Sequence, residues 1–168
     1  MAKQASLCYR IRDLRAEETP LLETFLYEAI FIPDGVTPPP RTIVHDPSLY
    51  GYIDGFGSGA CDYALAAVLP DDTVVGVAWT RLLPDHAPLA NDVPTLANAV
   101  LPGYRGHGIG TALIHAIIEA LAHYGCSSVS LSVQKANPAL RLYQRAGFRI
   151  AQDNGEELVM VRELKCNV

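Results

Sequence analysis

The segment Arg105-Gly106-His107-Gly108-Ile109-Gly110-Thr111 sets glycines at alternate positions directly behind an arginine. Lacking side chains, such positions let backbone N–H groups close on phosphate oxygens, and the positive end of a following helix favours the anion. Arg105 adds a permanent cation beside these donors. Arg105, Gly106, His107, Gly108, Ile109, Gly110 and Thr111 are therefore a candidate diphosphate site that works without a metal. The other common phosphate loops ask for residues that are missing here. A P-loop needs G-x-x-x-x-G-K-[ST], and this loop has no lysine. A dinucleotide turn needs G-x-G-x-x-G and an acid about twenty residues on. Here the glycines run G-x-G-x-G, and no Asp or Glu occurs between Gly125 and Val133.

A local site matters because the chain as a whole is acidic: 13 Lys and Arg stand against 18 Asp and Glu, a formal net charge of −5. That balance argues against nucleic-acid binding, which draws its affinity from cations on phosphates. Of 168 residues, 49% are hydrophobic and 18% charged, the composition and size of a globular chain, and residues 1–168 read as a single domain. Met1-Ala2-Lys3-Gln4-Ala5-Ser6 lacks the apolar core of a signal peptide, and no run approaches a membrane span. The expectation is a cytoplasmic protein with no membrane partner. Cys8, Cys61, Cys126 and Cys166 form no C-x-x-C pair and the histidines no H-E-x-x-H, so reduced structural cysteines and no metal are expected. His115 and His123 belong on the surface or rim of a helix.

The elements that must position the glycine loop follow from periodicity. Tyr9 to Arg12 alternates as a half-buried strand. Thr19 as a cap and Pro20 at the first position open a helix whose apolar face is Leu21, Leu22, Phe25, Leu26, Ala29 and Ile30, with Pro33 as its stop. From Pro33 to Gly59 the chain is rich in Pro, Gly and Tyr, with regular structure expected only as a short turn after Asp46-Pro47. A loop of this length, carrying Tyr50, Tyr52 and Phe56, reads as an ordered binding segment. Tyr63 to Leu69 and Thr73 to Leu83 form a hairpin through Pro70-Asp71-Asp72. After a loop from Pro84 to Pro94, Thr95 to Leu101 is a fourth strand stopped by Pro102-Gly103. The helix behind the glycine loop presents Leu113, Ile114, Ile117, Ile118 and Leu121, and Gly125 ends it. Val129, Leu131 and Val133 alternate with serines as a fifth strand. Asn137-Pro138 starts a helix of about three turns that Gly147 closes, and Phe148 to Ala151 and Leu158 to Val161 pair through Asp153-Asn154-Gly155.

Arg105, Gly108 and Gly110 match the [QR]-x-x-G-x-[GA] motif that follows the fourth strand in the GNAT superfamily of N-acetyltransferases. The stretch from Ala99 to Gly106 resembles that family's strand end and turn, and Asn137, Leu142-Tyr143 and Gly147-Phe148 resemble its downstream signature. Phe31 to Gly35 with Pro38 to Arg41 looks like a feature of a bacterial subgroup of the superfamily. The resemblance spans Leu96 to Phe148 and implies an α+β fold of three-layer α/β/α type. In it, a mixed, mostly antiparallel sheet of about seven strands is flanked by helices, with strands four and five parallel and splayed.

The resemblance further implies an acetyl-CoA-dependent N-acetyltransferase in which the amine attacks directly in a ternary complex. Backbone groups of Asn98, Ala99 and Val100 would pair with the pantetheine arm, Gly106 to Thr111 would hold the diphosphate, and Asn137 would bond the cofactor while its local role is a helix cap. Tyr143 would be the acid for the departing thiolate; by pattern alone it is a core tyrosine beside Leu140 and Ala146. An alkyl ammonium with a pKa near about 10 needs a base, which some relatives place on the fifth strand. Ser130-Leu131-Ser132-Val133 offers none. Glu28, His45 and Asp46 are candidates for that base, each with an ordinary surface or capping alternative. The end of the first helix with the Pro/Gly/Tyr loop, and Trp79 and Arg81 of the hairpin, are candidates for acceptor recognition, Trp79 also for the core. The acceptor is expected to be a small-molecule or peptide amine, and the protein a monomer or homodimer. A non-catalytic acyl-CoA binding or sensing domain is the alternative.

Overall fold

The computed structural model describes residues 6–83 and 92–165. The expectations for the N-terminal leader, for Cys166 and for most of the Pro84–Pro94 loop fall outside those residues. A mixed sheet of seven strands runs in the order β1-β2-β3-β4-β5-β7-β6. Its strands are β1 (Arg10–Asp13), β2 (Tyr63–Val68), β3 (Val74–Arg81), β4 (Thr95–Val100), β5 (Ser128–Gln134), β6 (Arg149–Asp153) and β7 (Glu157–Glu163). Every neighbouring pair is antiparallel except β4 with β5. Those two parallel strands are in register only at Thr95 and Ser130, where Ser130 N–H donates to Pro94 O at 2.9 Å. Beyond that point they splay, leaving part of β4 without a strand on one side.

Helices cover both faces. Leu22, Phe25 and Leu26 of α1 (Leu21–Ala29) pack with Val44, Val77, Trp79 and Ala99. On the other face, Ile109, Leu113, Ile114, Ile117, Ile118 and Leu121 of α3 (Ile109–His123) pack with Val75, Leu96, Val129, Leu131 and Met160. Gly76 sets how closely α3 approaches β3: a Cβ there would lie 3.0 Å from Leu113 Cδ1 and 3.1 Å from Ile109 Cγ2. The start of α3 is thus fixed against the sheet.

The entry to α1 differs from the expected cap. Ala16–Glu18 forms a 3-10 turn, Thr19 and Pro20 are already helical in φ and ψ, and no side chain caps α1. Glu18 is bound instead by Arg12, six residues earlier, whose Nη2 lies 2.7 Å from Glu18 Oε1, and by the Arg15 N–H at 2.9 Å, so these bonds hold the turn that precedes α1. Leu21 is exposed at 38%, and Ile30 has left the helix with extended backbone, so α1 ends before Pro33. The loop that follows is more ordered than its composition implies. It holds a 3-10 turn at Arg41–His45, whose Val44 is buried, and α2 (Pro47–Tyr50), capped by Asp46 Oδ1 accepting the Ser48 N–H at 2.9 Å.

Near the C-terminus, α4 (Ala139–Arg145) has 7 residues, about two turns rather than three. Gly147, in the left-handed region, closes it, with Phe148 N–H donating to Tyr143 O at 3.0 Å, and Arg162 of β7 donates to Ala146 O at the same end. Cys61 and Cys126, remote in sequence, come within thiol hydrogen-bonding reach, and burial pushes the Cys61 thiol up. Among the described residues no helix is long and apolar enough to cross a membrane.

Candidate active site

The splay between β4 and β5 opens into a cleft of about 620 Å³. One wall is the loop before α3. Gly106 and Gly108 have φ of +80° and +79°, left-handed values that a side chain resists, and a Cβ on either would meet nothing within 4 Å. No side chain caps α3. The amides of its first turn thus have no side-chain cap among the described residues, and the glycines before them border open space at the positive end of a 15-residue helix. Gly106, Gly108, Ile109, Gly110 and Thr111 all line the cleft. Ile109 does so by its backbone, since its side chain is buried against the sheet. His107 is exposed and does not line it.

Arg105 also lines the cleft, but its side chain is committed. Its Nε donates to Val100 O at 2.9 Å, and its Nη2 lies 3.2 Å from Glu28 Oε2. Glu28 Oε1 is 3.8 Å from Arg41 Nη2, and the Arg41 guanidinium stacks 4.7 Å over the Tyr27 ring. The carboxylate expected as a base thus sits between two guanidinium groups.

Along β4, Leu101 N–H donates to Val75 O at 2.9 Å. Strand alternation then turns the backbone of Ala99 toward β3, and only that of Asn98 and Val100 toward the opening. Ala99, expected to contribute backbone bonds, lines the cleft with its backbone turned toward β3. The Asn98 side chain lies on the α3 face beside Gly110 and Tyr143, and its Oδ1 is buried with no partner among the described residues. A buried acceptor left unmet costs about 1–3 kcal/mol, so this atom marks a place built for a donor from outside the chain.

Tyr143 of α4 stands edge-on to Phe148, with ring centroids 6.0 Å apart. Burial pushes its phenol above the ordinary range, and the Asn98 amide beside it acts in the opposite sense. Asn137 Oδ1 accepts the Ala139 N–H at 2.9 Å; the local capping role holds, and its amide N–H groups are the polar part left for the cleft. Asn98, Asn137 and Tyr143 also line a second chamber, of about 350 Å³. That chamber is walled by Leu26, Phe31, Ile43, Leu49 and Tyr52 from α1 and the long loop, and by Ser132, Gln134 and Glu157 from β5 and β7. Two cavities therefore meet at Asn98, Asn137 and Tyr143.

Other expected site residues lie elsewhere. His45 pairs with Glu23 at 3.1 Å, Asp46 caps α2, and neither lines either of these two cavities. Trp79 is fully buried and its Nε1 donates to Tyr52 O at 3.0 Å. Arg81 donates to Gly51 O and Asp54 O and pairs with Asp62 at 3.3 Å. Both residues tether the long loop to the sheet, because an irregular backbone over a sheet needs partners for its carbonyls. Tyr52, read in the sequence as part of a binding segment, lines the second chamber, whereas Glu157 went unseen as a site residue. Glu157 reaches the site through its register with Gln134 across β5 and β7, which no local pattern reveals. Among the described residues, no group of three or more His, Cys, Asp and Glu is placed to hold a metal ion.

The chain resembles known proteins throughout this region. A sequence model described as Acetyltransferase (GNAT) family matches residues 14–148. The spermine/spermidine N(1)-acetyltransferase of Bacillus subtilis is 46% identical over 68 residues, 36% of this chain and 43% of that protein. The match thus spans less than half of that relative's length. An uncharacterized N-acetyltransferase of Mycobacterium tuberculosis is 38% identical over 110 residues, 60% of this chain and 67% of that protein. Among solved structures, the PaiA N-acetyltransferase of Thermoplasma acidophilum, in complex with coenzyme A, superposes with a TM-score of 0.67 at 18% identity, covering 94% of this chain and 99% of that one; at that identity the likeness is one of fold.

Proposed function

We propose that this chain, which belongs to the acetyltransferase (GNAT) family, is an N-acetyltransferase that moves an acetyl group from acetyl-CoA to a primary amine by direct attack in a ternary complex. The observation that carries this reading is the meeting of the two cavities at Asn98, Asn137 and Tyr143. One leads back to an anion-binding loop and the other to a largely apolar chamber, so donor and acceptor can approach one point from opposite sides.

The residues present fit coenzyme A. Open space over Gly106 and Gly108 leaves room for a diphosphate on the α3 amides. Asn98 and Val100 turn backbone toward the gap where a pantetheine arm would add as a strand, the Val100 carbonyl already accepting from Arg105, and the Asn98 Oδ1 has no donor among the described residues. Acetyl-CoA supplies an acetyl group activated as a thioester. The Tyr143 Oη, a phenol that burial moves further above the ordinary range, holds a proton for the departing sulfur as charge develops there. We assign Glu28 to holding Arg105 and Arg41 in place, since its carboxylate faces both guanidinium groups.

The amine class is supported by the name of the Bacillus subtilis relative, a spermine/spermidine acetyltransferase. We read residues 1–168 as a single domain acting in the cytoplasm, as monomer or homodimer, without nucleic-acid or membrane partners, in keeping with its net charge of −5. The test is release of free thiol from acetyl-CoA in the presence of a panel of polyamines, arylalkylamines and peptides with free N-termini. Thiol release that depends on an amine is expected. Tight coenzyme A binding with no release across the panel would favour a binding or sensing domain instead.

A further inference from the structure

The second chamber carries chemistry of its own. Its walls are apolar and aromatic, from Leu26, Phe31, Leu49 and Tyr52, and among the described residues that line it Glu157 is the one carboxylate, with no Lys, Arg or His. Glu157 opens β7, and its pairing with Gln134 sets it beside the end of β5, on the strand where the sequence shows no acid. It is an exposed residue at the chamber's rim. Its charge nevertheless reaches inward: the Tyr52 phenol is pushed up to about 12, first by burial and then by Glu157.

We propose that Glu157 is the carboxylate that receives the ammonium group of the acceptor, and that the chamber selects a primary amine carried on an apolar or aromatic body. A single carboxylate above apolar walls matches a single cation. A polyamine would bring further charges into a space that offers them no second carboxylate, and uncompensated charge near apolar surface is costly. The proposal deepens the transferase reading and rests on it.

The experiment titrates the full-length protein calorimetrically with 2-phenylethylamine, with its neutral counterpart 2-phenylethanol, and with spermidine, and runs thiol release from acetyl-CoA on the same samples. The amine should bind about fivefold more tightly than the alcohol, the range of a partly exposed ion pair. Glu157→Gln should erase that preference, Glu157→Asp should retain part of it, and Glu156→Gln, at an exposed neighbour that does not line the chamber, should keep it whole. Equal binding of amine and alcohol, a preference that survives Glu157→Gln, binding of neither, or tighter binding of spermidine would each overturn the proposal. The parent reading fails separately: an amine preference that depends on Glu157 but yields no thiol release removes the transferase and leaves the chamber assignment. Thiol release that Glu157→Gln leaves at an unchanged KM does the reverse.

Discussion

Glu28 Oε2 lies 3.2 Å from Arg105 Nη2, joining the end of α1 to the loop that precedes α3. Both residues line the cleft, so a residue expected to move a proton pairs with one expected to meet a phosphate. Arg105 also donates to Val100 O from its Nε, so one guanidinium ties together a helix end, a strand end and the glycine loop.

This arrangement separates two substitutions. Arg105→Ala should weaken coenzyme A binding about tenfold, with a shallower dependence on salt, because a cation near the phosphates is lost. Glu28→Gln should keep more than about half of the turnover, since it leaves Arg105 its bond to Val100 O; a loss nearer the 10²–10⁴-fold range of general-base removal would return Glu28 to the role of base. Calorimetry and initial rates measure both.

Tyr143→Phe should lower kcat about 10²-fold, the scale of a lost general acid, while the Kd for coenzyme A stays within about threefold. The ring would keep its edge-on contact with Phe148, so circular dichroism and Tm should not change. Turnover that persists in this variant would remove the proton-donating role.

Asn98→Leu should separate stability from activity. Removing the buried, partnerless Oδ1 should raise stability by about 1 kcal/mol, read as an increase in denaturant midpoint. Turnover should fall, because the atom that awaits a donor in the cleft is gone. A variant that is both less stable and equally active would show that the amide serves the fold alone.

Stability should decline in alkali for a stated reason. Burial raises the phenols of Tyr52, to about 12, and of Tyr143, while Tyr63 is raised by burial and by its bond to Asp13. In the folded chain these groups keep their protons above pH 10, whereas unfolded tyrosines lose them near about 10. The unfolded state then binds fewer protons, so stability is full below about pH 10 and falls as pH rises toward the folded values. For Tyr52 the window is pH 10 to 12, with a slope of about 1.4 kcal/mol per pH unit at most. Thermal melts across that window should show the fall, and Tyr52→Phe should make it shallower.

The sequence by itself determined the strands, the two long-faced helices and the glycine loop. Each is a local pattern: Val129, Leu131 and Val133 alternate, Leu113 to Leu121 repeats on one helical face, and Gly106 and Gly108 adopt the left-handed backbone that only glycine takes readily. It also determined the family resemblance, because the motif residues lie in one continuous stretch. Only the tertiary structure decided which polar side chains share the site. Glu28 met Arg105, Trp79 and Arg81 went to hold the loop, the Asn98 Oδ1 was left waiting, and Glu157 arrived beside the end of β5. These pairings join residues distant in sequence through strand register and helix packing, and periodicity, which describes one element at a time, carries no term for the distance between two of them.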